Sequence, residues 1–511
     1  MNKVKNDDAA PQIKSRTASS ERTLDDSARR KFLQMVGAGT ALAVAGLPGQ
    51  VLAAPGQGRG GPPPWRGGPP PGRGPGGGGA AVSPWRNEFM LNREKVFMNV
   101  GTAGAMPREV VQFFNEENLE KARESLNGYG NYAELRSRIA PGFGVDADEL
   151  ALSYNTTDGM CTAILGIPWG PNDCVVTTNH EHGGGNSPLQ IAALKYGLQI
   201  RRVALPTGND QTAQDTVDLF KDKIDEAMGE GLNVRALMWS SPTFLTGTML
   251  PIRRLVDLAI SYGLITICDG AHLPGMMAYN YAELGVDFMS GAGHKWQCGP
   301  GATGILVVRN KVRSQYNPLP LPEFYPVTTG SFSSESHMVS RIDGIPGQVH
   351  WSERTAGPTA TYDVAAVLSS IGSRNAPALN AMGKACDMWD EIGRDVIEDY
   401  VLGLSMHLKE SVADRWGVGA LSSPKDDPEL LSALTSFNPF LNPSLITNAS
   451  ASSAFVSRLN ELGFIVRNTA VPVIGSQDLH RPLRVSTHLW HSRQEVDQFV
   501  EACWKVANEM N

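Results

Sequence analysis

Short apolar runs alternate with helix-favouring stretches through the middle of the chain, and this alternation is the strongest constraint on its fold. Each run is four or five residues long and is followed by turn or hydroxyl residues. Strands of this length separated by helices predict βα units and a mostly parallel sheet, with ligand-binding residues just beyond the carboxyl ends of the strands. The predicted strands are Leu150–Tyr154, Cys174–Thr178, Ile200–Val203, Ala236–Ser240, Ile265–Cys268 and Gly304–Val308.

The C-terminal part of the sequence has a different pattern. A helix-favouring stretch begins at about Tyr362 and a final helix at about Ser492, and between them lie three predicted short strands, near Leu434–Phe437, Phe464–Arg467 and Leu483–Ser486. This mixture predicts a smaller α+β domain. We therefore expect a large α/β domain over residues 85–365, whose first part can also pack with the small domain, and a small domain over residues 366–511.

The first 84 residues differ in composition from the rest. Arg29 and Arg30 precede an apolar, Ala/Gly-rich stretch that is too short to span a membrane. This is typical of a twin-arginine signal peptide, placed at residues 1–54, and residues 55–84 form a Gly/Pro-rich segment predicted to be a disordered linker. We expect an exported, periplasmic protein that uses the twin-arginine export machinery, with membrane tethering if the signal stays uncleaved.

Charge and cysteine content narrow the class of ligand. The chain has 511 residues and a net charge of -7, and no basic block in the folded region indicates binding to nucleic acid. The six cysteines include no CxxC pair, which favours buried free thiols over disulfides. A small molecule is therefore the expected partner.

Two charged residues, Asp269 and Lys295, follow apolar segments at the predicted ligand-binding edge of the sheet. An aspartate at the end of an apolar strand is partly desolvated, so it favours a cationic partner. A protonated pyridine supplies that charge in pyridoxal phosphate enzymes, and a lysine amine there forms a Schiff base with the cofactor aldehyde. The pair predicts this cofactor, although an aspartate capping a turn and an ordinary loop lysine are the alternatives.

Three further motifs fit the same chemistry. Thr156 and Thr157 open a helix after a strand, where a phosphate would bind, although the same pattern is an ordinary helix cap. His182 could stack on a cofactor ring, and a metal site at His180 and His182 is the alternative, which no HExxH motif or cysteine partner supports. Arg484 could hold a substrate carboxylate bidentately or form a structural ion pair.

Taken together, these motifs resemble the class V aminotransferase family, the fold-type I group that includes cysteine desulfurases, selenocysteine lyases and isopenicillin N epimerases. The resemblance covers roughly Phe97 to Val506. It implies a large domain with a mostly parallel, seven-stranded-type sheet flanked by helices, a smaller α+β C-terminal domain, and a homodimer with active sites at the subunit interface. The motifs that carry it are Asn99–Gly104, Asn155–Gly159, His180–His182, Ser241–Thr248, Asp269–His272, His294-Lys295 and Leu483–Ser486.

The resemblance assigns a role to each candidate residue. Lys295 is implied to be the internal aldimine lysine, Asp269 the pyridinium partner and His182 the stacking ring, and these three form the catalytic set. His272 is implied to approach the cofactor phenolic oxygen, and Arg484 to bind the substrate carboxylate. The cofactor-binding residues are then Thr156, Thr157, His182, Asp269, His272, His294 and Lys295.

Two departures from the family pattern point to the epimerase-like branch. Many members have a serine three residues before the lysine, but this chain has Ala292 there and Ser290 further back. Desulfurases carry a persulfide-forming cysteine ahead of the carboxylate-binding arginine, but no cysteine lies between Phe464 and Arg484.

The expected function is therefore an exported pyridoxal phosphate enzyme that acts on an amino acid through a quinonoid intermediate. Racemisation, transamination and β-elimination, the last as in a C–S lyase, stay open. A noncatalytic binding protein that retains the fold and a metal-dependent hydrolase using His180, Glu181 and His182 are the hypotheses from other classes.

Overall fold

The structure is a computed structural model that describes residues 82–310, 315–328 and 364–511. The predicted signal peptide, residues 55–81 of the predicted linker and the helix start at Tyr362 lie outside the described residues and stay predictions. In the part that the structure describes, no helix is both long and apolar enough to cross a membrane.

A seven-stranded sheet forms the centre of the described structure. Its strand order is β2-β8-β7-β6-β5-β3-β4, and all neighbouring strands are parallel except that β8 runs antiparallel to both β2 and β7. This confirms the predicted α/β fold with a mostly parallel sheet. The strands of this half of the chain are β1 (Val96–Phe97), β2 (Leu150–Ser153), β3 (Asp173–Thr178), β4 (Gln199–Val203), β5 (Asn233–Ser240), β6 (Ile265–Asp269), β7 (Phe288–Ala292) and β8 (Gly304–Val308).

Helices flank the sheet, as the connections between parallel strands require. The helix from 213 to 229 shows the local logic: Thr212 and Asp215 form a capping box, and every third or fourth side chain after it is buried. In chain order the α-helices are α1 (Arg108–Glu124), α2 (Ala133–Ile139), α3 (Thr156–Gly166), α4 (Gly183–Tyr196), α5 (Ala213–Gly229), α6 (Ile252–Tyr262), α7 (Tyr281–Leu284), α8 (Val364–Ser369), α9 (Ala376–Ile392), α10 (Arg394–Trp416), α11 (Ala449–Glu461) and α12 (Arg493–Glu509).

The C-terminal part contains short strands packed with the last three helices. Strand order β11-β14-β9 forms an antiparallel sheet, and β10 pairs in parallel with β1 from the start of the described chain. Ser83, inside the predicted linker, is buried and its hydroxyl donates to the carbonyl of Leu489. The strands are β9 (Leu434–Phe437), β10 (Phe464–Ile465), β11 (Arg467–Asn468), β12 (Val471–Pro472), β13 (Leu479–His480) and β14 (Leu483–Ser486).

The apolar core lies on both faces of the large sheet and continues into the C-terminal part. All seven strands of the large sheet contribute buried side chains, so alternation of polar and apolar residues is weak in them, as expected for a sheet covered on both faces. All six cysteines are free thiols, and five of them are buried.

Candidate active site

The carboxyl ends of β3, β6 and β7 lie at one edge of the sheet because these strands are parallel. His182 follows β3, Asp269 is the last residue of β6, and Lys295 follows β7. The helix that starts with Thr156 follows β2, which runs in the same direction as β7 because both are antiparallel to β8. The fold therefore brings together residues that are far apart in the sequence.

Lys295 is half-buried, and its Nζ lies 3.5 Å from Nε2 of His272. Burial lowers the pKa of the Lys295 amine to about 8, with the charge of Asp269 opposing the shift and those of Arg484 and Arg467 adding to it. The amine is therefore partly neutral near physiological pH, which is the form that attacks an aldehyde or accepts a proton.

Asp269 is buried, and the backbone N–H of Ala271 donates to its Oδ1 over 3.1 Å. Burial raises the pKa of the Asp269 carboxyl, and the charge of Lys295 opposes that rise. Among the described residues Asp269 forms no ion pair. A cationic group held against this carboxylate would favour its ionised form, which is what a protonated pyridine ring provides.

The tautomer of His272 is set by Trp296, a residue that the sequence analysis did not single out. The Trp296 indole N–H donates to Nδ1 of His272 over 3.1 Å. An indole nitrogen is only a donor, so the imidazole accepts at Nδ1 and carries its own proton on Nε2. Burial and the charge of Lys295 hold the pKa of His272 well below its usual range, so the ring is neutral and presents an Nε2–H donor beside Lys295.

The two histidines after β3 have different surroundings. His180 is buried, and burial lowers its pKa to about 4. His182 is exposed and caps α4, where its Nδ1 accepts from the N–H of Gly184 over 3.0 Å. The ring of His182 also meets the ring of Phe244 edge to face at 4.9 Å between centroids. His182 is therefore fixed in orientation, with one ring edge available to a ligand.

Both carboxylate oxygens of Glu181 accept hydrogen bonds from neighbouring side chains. The Thr178 hydroxyl donates to Oε1 over 2.5 Å and the Ser240 hydroxyl to Oε2 over 2.6 Å. Burial raises the pKa of the Glu181 carboxyl to about 7. Across residues 82–310, 315–328 and 364–511 no three His, Cys, Asp or Glu side chains are grouped to hold a metal ion.

The N-terminus of α3 has an unsatisfied hydroxyl. Asn155 caps the helix by accepting from the N–H of Asp158, and Thr156 is buried with an Oγ1 that has no partner in the described structure. Thr157 is exposed at the next position. The hydroxyl of Ser290 is already used within the fold: it donates to the Thr156 carbonyl over 3.1 Å and so connects the start of α3 to β7. Free helix N–H groups together with the Thr156 hydroxyl suit a phosphate.

Arg484 is buried on β14, and its Nη1 donates to the Phe244 carbonyl over 2.8 Å. Its Nε and Nη2 are buried without a partner in the described structure. Burial lowers the pKa of the guanidinium to about 9, and the nearby charge of Arg467 adds to this. Nε and Nη2 form one edge of the guanidinium, which is the edge that holds a carboxylate bidentately.

Two glycines of the Asn99–Gly104 segment explain why that motif is part of the site. A Cβ on Gly104 would lie 2.0 Å from the Lys295 carbonyl oxygen, and a Cβ on Gly101 would lie 2.8 Å from Nη2 of Arg484. The Gly104 N–H also donates to the His294 carbonyl over 2.8 Å. The segment therefore packs against the lysine turn and against the arginine, at distances that only glycine permits.

The loop after β5 connects His182 to Arg484. Phe244 contacts the His182 ring with its own ring and the Arg484 guanidinium with its carbonyl oxygen. The next carbonyl, that of Leu245, accepts from the hydroxyls of Thr469 and Ser436 in the C-terminal part. The loop therefore fixes the relative position of the two candidate ligand-binding groups.

These residues fit pyridoxal phosphate. Thr156 offers a buried, unpaired hydroxyl at a helix N-terminus for the phosphate, and Asp269 offers a desolvated carboxylate for the pyridine nitrogen. Lys295 has an amine with a lowered pKa for the aldehyde. His294 is half-buried next to the lysine, and burial lowers its pKa; the structure gives it no contact that defines a role toward the cofactor.

Comparison with known proteins also points to a pyridoxal phosphate enzyme. The sequence model of the family Aminotransferase class-V matches residues 102–324. The chain is a relative of the class V aminotransferases. This confirms the predicted resemblance and the enzyme class, a pyridoxal phosphate-dependent enzyme of the class V type.

The similar proteins differ in the reaction they are named for. The isopenicillin N epimerase of Streptomyces clavuligerus is 23% identical over 84% of this chain and 100% of its own length. The hercynylcysteine sulfoxide lyase of Schizosaccharomyces pombe is 26% identical over 47% of this chain and 61% of its own length. The similar proteins are therefore named for more than one reaction.

Solved structures show the same fold. The apo cysteine desulfurase of Thermococcus onnurineus superposes with a TM-score of 0.63 at 19% identity, over 84% of this chain and 99% of that chain. A C-DES variant with glycine linked to its PLP cofactor gives 0.60 at 18% identity, over 82% and 98%. The fold-type I architecture of this class V relative is confirmed, while the individual site roles and the domain boundaries stay predictions.

Proposed function

We propose that this protein is an exported pyridoxal phosphate enzyme that moves the Cα proton of an amino acid, most like the isopenicillin N epimerase type. The observation that carries the proposal is the grouping of Lys295, Asp269 and His272 at one sheet edge, with the loop of Phe244 linking this edge to the unpaired guanidinium of Arg484. A site with a nucleophilic amine, a desolvated carboxylate and a free cationic fork suits an amino acid better than an uncharged ligand.

Different residues of the site would bind different parts of the cofactor and the substrate. When bound, pyridoxal phosphate supplies an electron-withdrawing ring that acidifies the Cα–H bond of an amino acid attached through its nitrogen. Thr156 and the start of α3 would hold its phosphate, and Asp269 would keep its ring nitrogen protonated. Arg484 would hold the substrate carboxylate, and this contact orients the Cα–H bond.

Lys295 is the proposed proton carrier at Cα. Its pKa, lowered to about 8 by burial, lets the amine both accept and return a proton near neutral pH. The Nε2–H of His272, held in that tautomer by Trp296, lies 3.5 Å from the amine and can donate to an oxygen or nitrogen next to it. His182 would cover the ring face from the side of α4.

The fate of the substrate after proton removal separates two versions of the proposal. The match over the full length of an epimerase favours return of a proton to the opposite face of Cα, which inverts that centre. A C–S lyase is the second candidate, because another relative is named a sulfoxide lyase. Persulfide chemistry needs a reactive cysteine thiolate near the lysine. Cys298, three positions after Lys295, does not fit that need, because it is buried and burial raises the pKa of its thiol well above the usual range.

The first test is the absorbance spectrum of the purified protein reconstituted with pyridoxal phosphate. Wild type and Lys195→Ala, which alters an exposed lysine, should show the visible band of a lysine-bound cofactor, and Lys295→Ala should not. A wild-type protein that binds no cofactor would overturn the proposal.

The second test follows the products from a panel of amino acids. Inversion at Cα with no loss of amine supports the epimerase version, and release of ammonia with a sulfur-containing fragment supports the lyase version. Cofactor binding without any turnover or Cα exchange across the panel would favour a noncatalytic binding protein.

Export and dimerisation complete the proposal. The paired Arg29 and Arg30 before a short apolar stretch support export by the twin-arginine route. Changing both to lysine should leave the protein in the cytoplasmic fraction. Sedimentation of the purified protein should give the mass of a homodimer, and a monomer with full activity would contradict that part.

A further inference from the structure

Arg467 is a second arginine beside the proposed carboxylate-binding residue. It lies on β11 directly opposite Arg484 of β14 in the antiparallel pair. Residues opposite each other in such a pair project to the same face of the sheet, with Cβ atoms about 4.5–5.5 Å apart. Like charges in this arrangement are unfavourable unless an anion lies between or beside them.

No acidic side chain of the described residues neutralises this pair. The Arg467 side chain is exposed and its one hydrogen bond runs from Nε to the Asn468 carbonyl over 3.2 Å. Its two terminal nitrogens are therefore not used within the described chain. Arg484 likewise has no acidic partner and keeps Nε and Nη2 unpaired.

Each arginine keeps a separate edge for a ligand. Arg484 presents its buried Nε and Nη2 edge, which one carboxylate fills completely. Arg467 presents its Nη1 and Nη2 end, further toward solvent. The charge of Arg467 also lowers the pKa of Lys295, His182 and Arg484, which places it within electrostatic range of these three residues.

The two acidic side chains described near the site, Glu181 and Asp269, already have a partner or a proposed one. Glu181 accepts from Thr178 and Ser240, and Asp269 is the partner proposed for the cofactor ring. Among the described residues, the substrate side of the site therefore carries two arginines and no carboxylate that is left without an assigned partner. An ordinary neutral amino acid would supply one negative charge, for Arg484, and would leave Arg467 without a partner.

We propose that the substrate carries a second carboxylate on its side chain and that Arg467 recognises it while Arg484 holds the α-carboxylate. This rests on the proposed function and adds the substrate class to it: amino acids with an acidic side chain, in preference to neutral ones of the same shape. Arg467 is in this view a specificity residue.

The experiment measures binding of two isosteric pairs, L-aspartate against L-asparagine and L-glutamate against L-glutamine, by titration of the cofactor absorbance. Wild type should bind the acid about tenfold more tightly than the amide in at least one pair, as for a charge-assisted hydrogen bond. Arg467→Gln should lose that preference by weakening the acid alone, and Arg467→Lys should retain part of it. Arg458→Gln, an exposed arginine of α11 that pairs with Glu461, should keep the wild-type preference.

Three outcomes would overturn the proposal. Wild type could bind acid and amide equally in both pairs, Arg467→Gln could weaken both members of a pair to the same extent, or Arg458→Gln could lose the preference as Arg467→Gln does. Failure of the proposed function is recognised separately, because then no amino acid would perturb the cofactor or the cofactor would not bind. Perturbation by neutral amino acids without an acid preference would sink only the role of Arg467.

Discussion

Arg309 and Arg484 are both buried, but their surroundings are opposite. The Arg309 guanidinium forms an ion pair with Asp287 at 2.6 Å and donates to the carbonyls of Asn317 and Leu319. Among the residues that the structure describes, the Arg484 guanidinium has one carbonyl partner, no carboxylate partner and two nitrogens without a partner. The first arginine has the partners that a buried charge needs for stability, and the second lacks them. A buried cation without an anion fits the carboxylate-binding role that we propose for Arg484.

The largest effect expected from this contrast is on stability at Arg309. Arg309→Met would leave the Asp287 carboxylate buried without its cation, so the free energy of unfolding should fall by about 3–5 kcal/mol. Denaturant unfolding followed by fluorescence measures this. A loss below about 1 kcal/mol would mean that the pair is not structural.

Arg484→Met should show the reverse pattern. Its free energy of unfolding should change by less than about 1 kcal/mol, because replacing a buried unpaired charge by an apolar side chain removes a desolvation cost. The value of kcat/KM for the amino acid substrate should fall about 10- to 150-fold, as expected for loss of charge-assisted hydrogen bonds worth about 1.5–3 kcal/mol. Unchanged kinetics with a large loss of stability would make Arg484 structural like Arg309.

A smaller change near Arg484 sharpens the comparison. Gly101→Ala would place a Cβ 2.8 Å from Nη2 of Arg484 and displace the guanidinium. A side chain forced off its rotamer costs about 0.5–1.5 kcal/mol, so kcat/KM should fall roughly two- to tenfold. Gly403→Ala is the matched control, because nothing lies within 4 Å of its Cβ position in α10, and its kinetics should equal those of wild type. A wild-type value for Gly101→Ala would show that the guanidinium position is not critical.

The smallest effect is a shift in pH dependence. The Lys295 pKa of about 8 predicts that the rate of cofactor rebinding to the cofactor-free protein rises with pH through this value, because the neutral amine is the nucleophile. Arg484→Met removes a positive charge that lowers this pKa, so the midpoint should move to higher pH. Comparing variant with wild type cancels the ionisation of the cofactor itself. A midpoint that stays in place or moves down would contradict the charge interaction.

The sheet and the residues at its edge were predictable because both follow from local patterns. The runs at Leu434–Phe437, Leu483–Ser486 and Gly304–Val308 match β9, β14 and β8 residue for residue. Asp269 was identifiable because an apolar strand ends in a carboxylate. β7 was not among the predicted strands because serine and glycine follow the apolar pair Phe288-Met289 and weaken the strand pattern of the apolar segment before Lys295.

The contacts that orient the site were not predictable, because they join residues distant in the sequence. From the sequence, Trp296 is an ordinary apolar residue after the lysine, and only the structure shows that its indole N–H donates to His272. From the sequence, Gly104 is an ordinary turn glycine, and only the structure shows how closely it packs against the Lys295 carbonyl. The opposition of Arg467 and Arg484 depends on strand register, which short strands of two to four residues do not encode clearly.

The central claim is that Lys295 moves the Cα proton of a bound amino acid. Incubation of the reconstituted protein with an amino-acid panel in D2O, followed by mass spectrometry of the recovered amino acids, tests it directly. Wild type should incorporate deuterium at Cα of at least one amino acid, and Lys295→Ala should lose that exchange by about 100-fold or more, the usual contribution of a positioned base. Exchange at the wild-type rate in Lys295→Ala, or none in a wild-type protein with bound cofactor, would contradict the account.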